Sequence, residues 1–103
     1  MTMSGKERAA LRGEAHRLEP LVHLGQQGIT QAAIASLDDA LRTHELVKVR
    51  LGRNTDIPAR DAARQLAEAT GSDVIQVIGK TTTLYRENPD LPHRSGGQPA
   101  WRG

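Results

Sequence analysis

Hydrophobic and polar positions repeat with two different periods along this chain. Across residues 30–42, apolar side chains recur three or four positions apart, which is the spacing of one face of an α-helix. In residues 46–51 the period is two, because hydrophobic residues alternate with Lys48 and Arg50. Strict alternation is typical of a strand with one buried and one exposed face. The two patterns predict a helix followed by a strand, with both basic side chains on an open sheet face or edge.

Two further helices are predicted from their end signals. Ser4 and Glu7 have the spacing of a capping box, which opens a first helix that runs to about residue 16. Pro58 suits the first turn of a third helix, and Gly71 suits its C-terminal end. The narrow apolar stripe of the first helix consists of Leu11, Ala15 and Leu18.

Three more segments have the composition of short strands, at residues 21–24, 74–78 and 81–85. Gly79-Lys80 separates the last two segments and has the length and residue types of a two-residue hairpin turn. The register that follows places Ile75 opposite Leu84, Val77 opposite Thr82, and Asp73 near Arg86.

The predicted fold class is α/β, with elements in the order α-β-α-β-α-β-β and a four-stranded mixed sheet. Strands that alternate with helices favour a parallel pair with right-handed crossovers, whereas the closing hairpin is antiparallel. Strand order stays open. We expect one domain over residues 1–86. Residues 87–103 are rich in proline and glycine and poor in apolar residues apart from Trp101, so they are predicted to be a disordered tail.

Two glycines three residues apart join the strand at residues 21–24 to the central helix. Gly25 and Gly28 lack a Cβ, so the loop Gly25-Gln26-Gln27-Gly28 lets another backbone approach closely. Thr30 is placed to cap the helix, whose free N–H groups and dipole favour an anion such as a phosphodiester. An ordinary strand-to-helix turn explains the same spacing, so this loop alone does not establish binding.

Basic residues are clustered, although their excess is small. The chain has 14 Lys and Arg against 12 Asp and Glu, a formal net charge of +2. Clusters of this kind suit a phosphate-binding face, and the alternative is a solvated surface balanced by nearby glutamates. The clustered residues are Lys6, Arg8, Arg12 and Arg17 in the region of the first helix, and Lys48, Arg50 and Arg53 on and after the second strand.

Residue types and spacing argue against a catalytic or cofactor site. Cysteine is absent, the four histidines lack zinc-type spacing, and there is no G-x-S-x-G elbow for a serine nucleophile. Gly79-Lys80-Thr81 is not a P-loop, because Val74 replaces the first glycine of that motif. We therefore expect no catalytic residue, metal, cofactor or small-molecule substrate.

The apolar and aromatic content of the chain bears on its cellular location and on how it would bind nucleic acid. No apolar run approaches the about 18 residues of a membrane span, the first residues form no signal core, and the absence of cysteine suits a reducing compartment. We expect a monomeric cytoplasmic protein without membrane contact.

With no Phe, one Tyr and one Trp, the chain has no platform for stacking bases, so it would hold nucleic acid by the backbone.

Four stretches together resemble the CRM domain in its single-domain bacterial, YhbY-like form. They are residues 11–20, residues 25–30, residues 45–49, and Val77-Ile78-Gly79-Lys80 with Leu84-Tyr85-Arg86. The resemblance implies an RNA-binding α/β domain similar to the C-terminal domain of translation initiation factor 3. Bacterial members are associated with precursors of the large ribosomal subunit, whose assembly they are thought to help.

The resemblance also implies which residues contact RNA. Residues 25–28 match the RNA-contacting loop, and four other residues match basic positions of the family pattern: Arg12, Lys48, Lys80 and Arg86. Many members carry a lysine or arginine between the two glycines, where this chain has Gln26 and Gln27. The basic helix and Lys48 are then expected to supply more of the attraction.

The leading hypothesis is a non-catalytic protein that contacts ribosomal RNA during assembly of the large subunit. Its predicted contacts are Gly25, Gln26, Gln27, Gly28, Thr30, Lys6, Arg12, Arg17, Lys48, Arg50 and Lys80. One alternative is a protein-interaction module that docks through the sheet edge or the tail on a ribosomal protein or assembly factor. A third hypothesis, an enzyme of small-molecule metabolism, would require a pocket lined by acidic or histidine groups.

Overall fold

The computed structural model describes residues 4–88 and has three helices and four strands in that range. Their order is the predicted α-β-α-β-α-β-β, so the α/β fold class is confirmed. Most of the predicted tail, with Trp101, lies outside the described residues. The elements are α1 (Gly5–Ala15), β1 (Val22–Leu24), α2 (Gln31–His44), β2 (Leu46–Leu51), α3 (Ala59–Thr70), β3 (Asp73–Ile78) and β4 (Thr81–Tyr85).

Local signals set the ends of the helices. The Ser4 hydroxyl accepts a hydrogen bond from the Glu7 N–H at 3.1 Å, and the Glu7 carboxylate accepts one from the Ser4 N–H, which confirms the capping box. Gly71 ends α3 in the left-handed conformation, with φ at 67°. Pro58 is the N-cap of α3, one position before the first turn that was predicted for it. No helix of α1–α3 is long and apolar enough to span a membrane.

The four strands form one mixed sheet in the order β1-β2-β4-β3. β1 and β2 are parallel, as predicted, while β4 runs antiparallel to both of its neighbours, β2 and β3. Because β4 inserts between β2 and β3, β2 lies inside the sheet and β1 and β3 form its edges. Lys48 and Arg50 of β2 therefore belong to a sheet face and not to an edge.

Helices cover the two faces of the sheet unequally. On the face that we call the covered face, α2 and α3 pack over alternate strand residues, including Val22, Val49 and Leu84. On the other face, α1 covers one end through a separate cluster of Leu11, Ala15, Leu46, Ile75 and Tyr85. Asp73, the register partner of Tyr85, is exposed on this same face at the α1 end. The rest of that face, which we call the open face, consists of His23, Lys48, Arg50, Gln76, Ile78, Thr81 and Thr83.

A β-bulge in β3 changes the predicted hairpin register. Val77 lies opposite Thr82 as predicted, but Leu84 pairs with Val74, so the prediction that Ile75 faces Leu84 is wrong. The extra residue, Ile75, is buried beneath α1. Burial of this side chain with the α1 cluster accounts for the bulge, because a regular strand would turn it to the covered face. Arg8 of α1 donates a hydrogen bond to the Val74 carbonyl at 3.0 Å.

Arg86, directly after β4, is fastened to the middle of α2 and to the end of α3. Arg86 donates to the Asp38 carboxylate at 2.7 Å and to the Thr70 carbonyl at 2.8 Å, whereas Asp73 pairs with Tyr85 in the ladder. The predicted proximity of Asp73 and Arg86 is therefore replaced by a bond between Arg86 and α2. Arg86 consequently has a structural role.

Candidate nucleic-acid interface

The two glycines after β1 enclose a tight four-residue turn. The Gly28 N–H donates to the Gly25 carbonyl at 3.0 Å, which leaves Gln26 and Gln27 exposed at the central positions. Gly28 has φ at 69°, in the left-handed region that favours glycine, whereas Gly25 is not among the glycines with positive φ. A Cβ added at Gly28 would meet no atom within 4 Å, so the requirement for glycine is conformational.

Helix α2 begins directly behind this turn. The Thr30 hydroxyl accepts a hydrogen bond from the Ala33 N–H at 3.0 Å, which confirms Thr30 as the N-cap. Ile29 and Ile34 are both partly buried against the core, at the positions of a hydrophobic staple. The first amides of α2 have no partner within the helix, and with the helix dipole they give this end a partial positive charge.

The turn is braced from behind by the loop after β2. The Thr55 hydroxyl lies 2.8 Å from the Gly25 carbonyl and 3.1 Å from the Leu24 carbonyl, and the Gly52 N–H donates to the same Leu24 carbonyl at 2.8 Å. A Cβ at Gly52 would come within 3.0 Å of that carbonyl, so the close approach requires glycine. The sequence analysis missed Thr55, because its contacts are about thirty residues away and leave no local pattern.

A cleft of about 540 Å³ lies between the turn, the free edge of β1 and the start of α2. The residues of α2 that line it have small side chains, so a ligand can reach the backbone of the first two turns of the helix. Its walls include Leu21, His23, Gln26, Gln27, Thr30, Ala32, Ala33 and Ser36. The cleft therefore joins the predicted loop and the predicted N-cap in one concave surface.

Three of the predicted cations lie at the same end of the sheet as the turn. Arg50 pairs in register with His23, two residues before Gly25. Lys48 lies two residues before Arg50 in β2, on the same face of the sheet. Lys80 is exposed in the hairpin turn, where its carbonyl accepts a hydrogen bond from the Leu51 N–H. Within residues 4–88, the ion pairs involve Arg42, Arg64 and Arg86, so none of these three cations is neutralised by a carboxylate.

The cations of the first helical region are more dispersed. Lys6, Arg12 and Arg17 are exposed. Arg8, two residues after Lys6, binds the Val74 carbonyl, which places the start of α1 beside the edge strand β3 and away from the glycine turn. Arg17 lies beyond the end of α1, directly after His16, which lines a separate cavity on the open face of the sheet. The structure thus leaves Lys6 away from the turn and places Arg17 next in the chain to a residue that lines this cavity.

Acidic and histidine side chains do not gather in the described part of the chain. Within residues 4–88, no group of three or more such residues could hold a metal ion. Asp38 and Asp39 are neighbours on α2, but each binds a different arginine, Arg86 and Arg42 respectively.

A domain-family model, relatives of known sequence and a solved structure all match this chain over most of its length. The model of the CRS1 / YhbY (CRM) domain matches residues 3–86. The Bacillus subtilis "Probable RNA-binding protein YqeI" is 33% identical over 88 residues, which are 85% of this chain and 92% of that protein. A protein of Haemophilus influenzae named "RNA-binding protein" is 33% identical over 89 residues, which are 86% of this chain and 90% of that protein.

A solved structure has the same fold. It is the solution structure of a hypothetical protein from Staphylococcus aureus, and it superimposes with a TM-score of 0.73 at 37% sequence identity. The match covers 84% of this chain and 91% of the other. The family match spans α1 to β4, and the fold and the glycine turn described above lie entirely within it. This chain belongs to the CRS1/YhbY (CRM) domain family.

Proposed function

We propose that this protein is a non-catalytic RNA-binding protein that holds RNA by its sugar-phosphate backbone. The observation that carries the proposal is the turn at residues 25–28. It presents the exposed side-chain amides of Gln26 and Gln27 beside the start of α2 and lies next to the unpaired cations Arg50 and Lys48. Relatives that cover nearly the same residues are named as RNA-binding proteins, which supports the same function.

The charges of this site indicate which residues supply hydrogen bonds and which supply electrostatic attraction. Gln26 and Gln27 are neutral, so the turn offers hydrogen bonds to phosphate and sugar oxygens but no attraction at long range. Lys48, Arg50 and Lys80 provide the attraction. If all three contact phosphates of a single strand, the logarithm of the affinity should fall with the logarithm of the salt concentration with a slope of about −2.

Backbone recognition is also consistent with the position of the aromatic residue. Tyr85 is the one Phe, Tyr or Trp side chain within residues 4–88, and it is only 2% exposed beneath α1. It is therefore not available to stack on bases. We propose that the natural ligand is ribosomal RNA in precursors of the large ribosomal subunit, a choice that rests on the resemblance to the bacterial members of the family.

The test is RNA affinity as a function of salt, measured with ribosomal RNA fragments and with precursor large subunits. Replacement of Lys48 by Ala should make the log–log slope shallower by about 0.7, because one phosphate contact is lost. Replacement of Gly28 by Val should lower the affinity on the order of tenfold, because the left-handed turn that presents the amides is strained by about 1–2 kcal/mol.

Gly71→Val is the matched control for Gly28→Val. Gly71 has nearly the same φ, 67° against 69°, and an added Cβ meets nothing within 4 Å at either position, but Gly71 lies at the far end of α3. Equal affinity in the Gly28 and Gly71 variants would contradict a role for the turn. Binding to precursor subunits that persists at high salt would instead favour the alternative, docking on a protein component.

A further inference from the structure

The open face of the sheet contains a cavity in which Lys48 is the only lining residue already assigned to the RNA backbone. Its volume is about 300 Å³, at the lower end of small-molecule sites. One wall comes from the end of α1, and the rest comes from β2, β3 and β4. The lining residues are His16, Lys48, Gln76, Ile78, Thr81 and Thr83, none of which is acidic. The cavity is thus polar and cationic, with one aliphatic side chain.

The polar groups at the floor of this cavity lack partners. Thr83 is only 1% exposed, yet within residues 4–88 its hydroxyl makes no hydrogen bond. The side-chain amide of Gln76, which faces Thr83 across the β3–β4 ladder, likewise makes none in this part of the chain. Buried polar groups are almost always satisfied, so this hydroxyl requires a partner, and the cavity is the side from which water or a ligand group can reach it.

The apolar wall is also unusual in its exposure. Ile78 is 58% exposed, and it and Leu21 are the two exposed large hydrophobic residues of the described part. Ile78 stands beside Thr81 on an otherwise polar face. A flat ligand group with an apolar surface and hydrogen-bonding edges would place its surface against Ile78 and its edges toward Gln76 and Thr83.

The cavity lies within reach of the glycine turn. His23, Arg50, Thr81 and Ile78 are successive register partners across the four strands, so they form one row over the open face. At about 4.8 Å per strand, this row spans about 14 Å from the strand that precedes the turn to the apolar wall. Arg50 lies in the row, and Lys48 lines the cavity beside it.

We propose that this cavity receives one unstacked nucleobase of an RNA whose backbone follows the row from the turn at residues 25–28. The inference rests on the proposed function and gives it a substrate class, single-stranded or unpaired RNA. In a duplex the bases are stacked and paired, and the deep major groove of the A form is closed to side chains. A duplex could contact Lys48 and Arg50 but could not fill the cavity. The base is held by contact with Ile78 and by hydrogen bonds with Gln76 and Thr83.

The test compares RNA octamers of each base, the same octamers with one abasic site, and a duplex of equal length. Fluorescence anisotropy with the full chain should show tighter binding of an intact single strand than of the duplex. Thr83→Val removes the hydroxyl at constant shape and should weaken single-strand binding about fivefold. Ile78→Ala should weaken it about threefold, and because this side chain is exposed the variant should remain folded.

Thr82→Val is the matched control. Thr82 is equally buried and adjacent in β4, but it lies on the covered face, so its replacement should leave RNA affinity unchanged. An abasic site at the bound position should cost wild type more than Thr83→Val does, because it removes the contacts with Ile78 and Gln76 as well as the one with Thr83. With that abasic octamer, Thr83→Val should cause no further loss, because the hydroxyl then has no base to contact.

The outcomes separate this inference from the function on which it rests. If wild type binds single strands with the expected salt slope, but Thr83→Val, Ile78→Ala and every abasic octamer bind equally well, the cavity holds no base and only backbone binding stands. Equal affinity for duplex and single strand would overturn the inference in the same way. If wild type binds no RNA, the proposed function fails and the inference fails with it.

Discussion

The two faces of this sheet are made by the same four strands and differ in what they do. On the covered face, α2 and α3 bury a continuous aliphatic core. On the open face, α1 covers one end, and the remainder presents lysine, arginine, glutamine and threonine. Val49 and Arg50 are neighbours in one strand, yet the first is fully buried and the second is exposed. If the open face binds RNA as proposed, stability and recognition are divided between alternate residues of the strands, and each should change with little effect on the other.

The largest loss of stability is expected for a substitution on the covered face. Leu66 of α3 is fully buried in the core, and Leu66→Ala should lower the free energy of unfolding by about 2–5 kcal/mol. Urea unfolding monitored by circular dichroism measures this loss. RNA affinity of the folded fraction should not change. A loss below about 1 kcal/mol, or no larger than that of the exposed variant Ile78→Ala, would remove the distinction between the faces.

An intermediate loss of stability is expected for a substitution where the turn at residues 25–28 meets the loop after β2. Thr55→Val removes the hydroxyl bonds to the Leu24 and Gly25 carbonyls and should cost about 1–2 kcal/mol of stability. The amide of Gly28 should then exchange faster with solvent, because its own acceptor, the Gly25 carbonyl, is no longer held. Hydrogen exchange measured by NMR reports both changes.

Thr70→Val is the control for this experiment. Its hydroxyl donates to the Leu66 carbonyl at 2.7 Å inside α3, so its removal also costs stability. Exchange at Gly28 should increase beyond the global change only in the Thr55 variant. The same increase in both variants would mean that the brace has no local effect on the turn.

The smallest effect on stability is expected for exposed charges, where the two faces differ in binding alone. Arg50 of the open face and Arg64 of α3, which lies 3.7 Å from Asp61, are both exposed. Replacement of either by Ala should change the free energy of unfolding by less than about 0.5 kcal/mol. RNA affinity at low salt should fall about three- to fivefold for Arg50→Ala and should not change for Arg64→Ala. Equal affinities in the two variants would contradict a binding role for the open face.

Much of this fold could be predicted because its signals are local. The capping box at Ser4, the N-cap at Thr30 and the alternation around Lys48 each depend on neighbours within a few residues, and all three are found in the structure. The family resemblance added the domain type. The prediction of the two-residue hairpin turn is also confirmed, with Gly79 at positive φ.

The remainder depends on contacts between distant parts of the chain. β4 lies between β2 and β3, and no pattern within a strand encodes its neighbours. The bulge at Ile75 follows from burial under α1, which the strand sequence alone does not indicate. Thr83 shows the same limit within the candidate site, because its neighbours in sequence do not indicate burial, and only the packing around it reveals a buried hydroxyl that makes no hydrogen bond within residues 4–88.

The bulge in β3 has a consequence for self-association. Edge strands expose a row of N–H and C=O groups to which another polypeptide strand can add. Here the bulge at Ile75 interrupts that row, and the Arg8 guanidinium occupies the Val74 carbonyl. The opposite edge strand, β1, is only three residues long. Neither edge therefore offers a long regular template for strand addition, and the sheet can present an open face at high protein concentration without growing by recruiting strands from other chains.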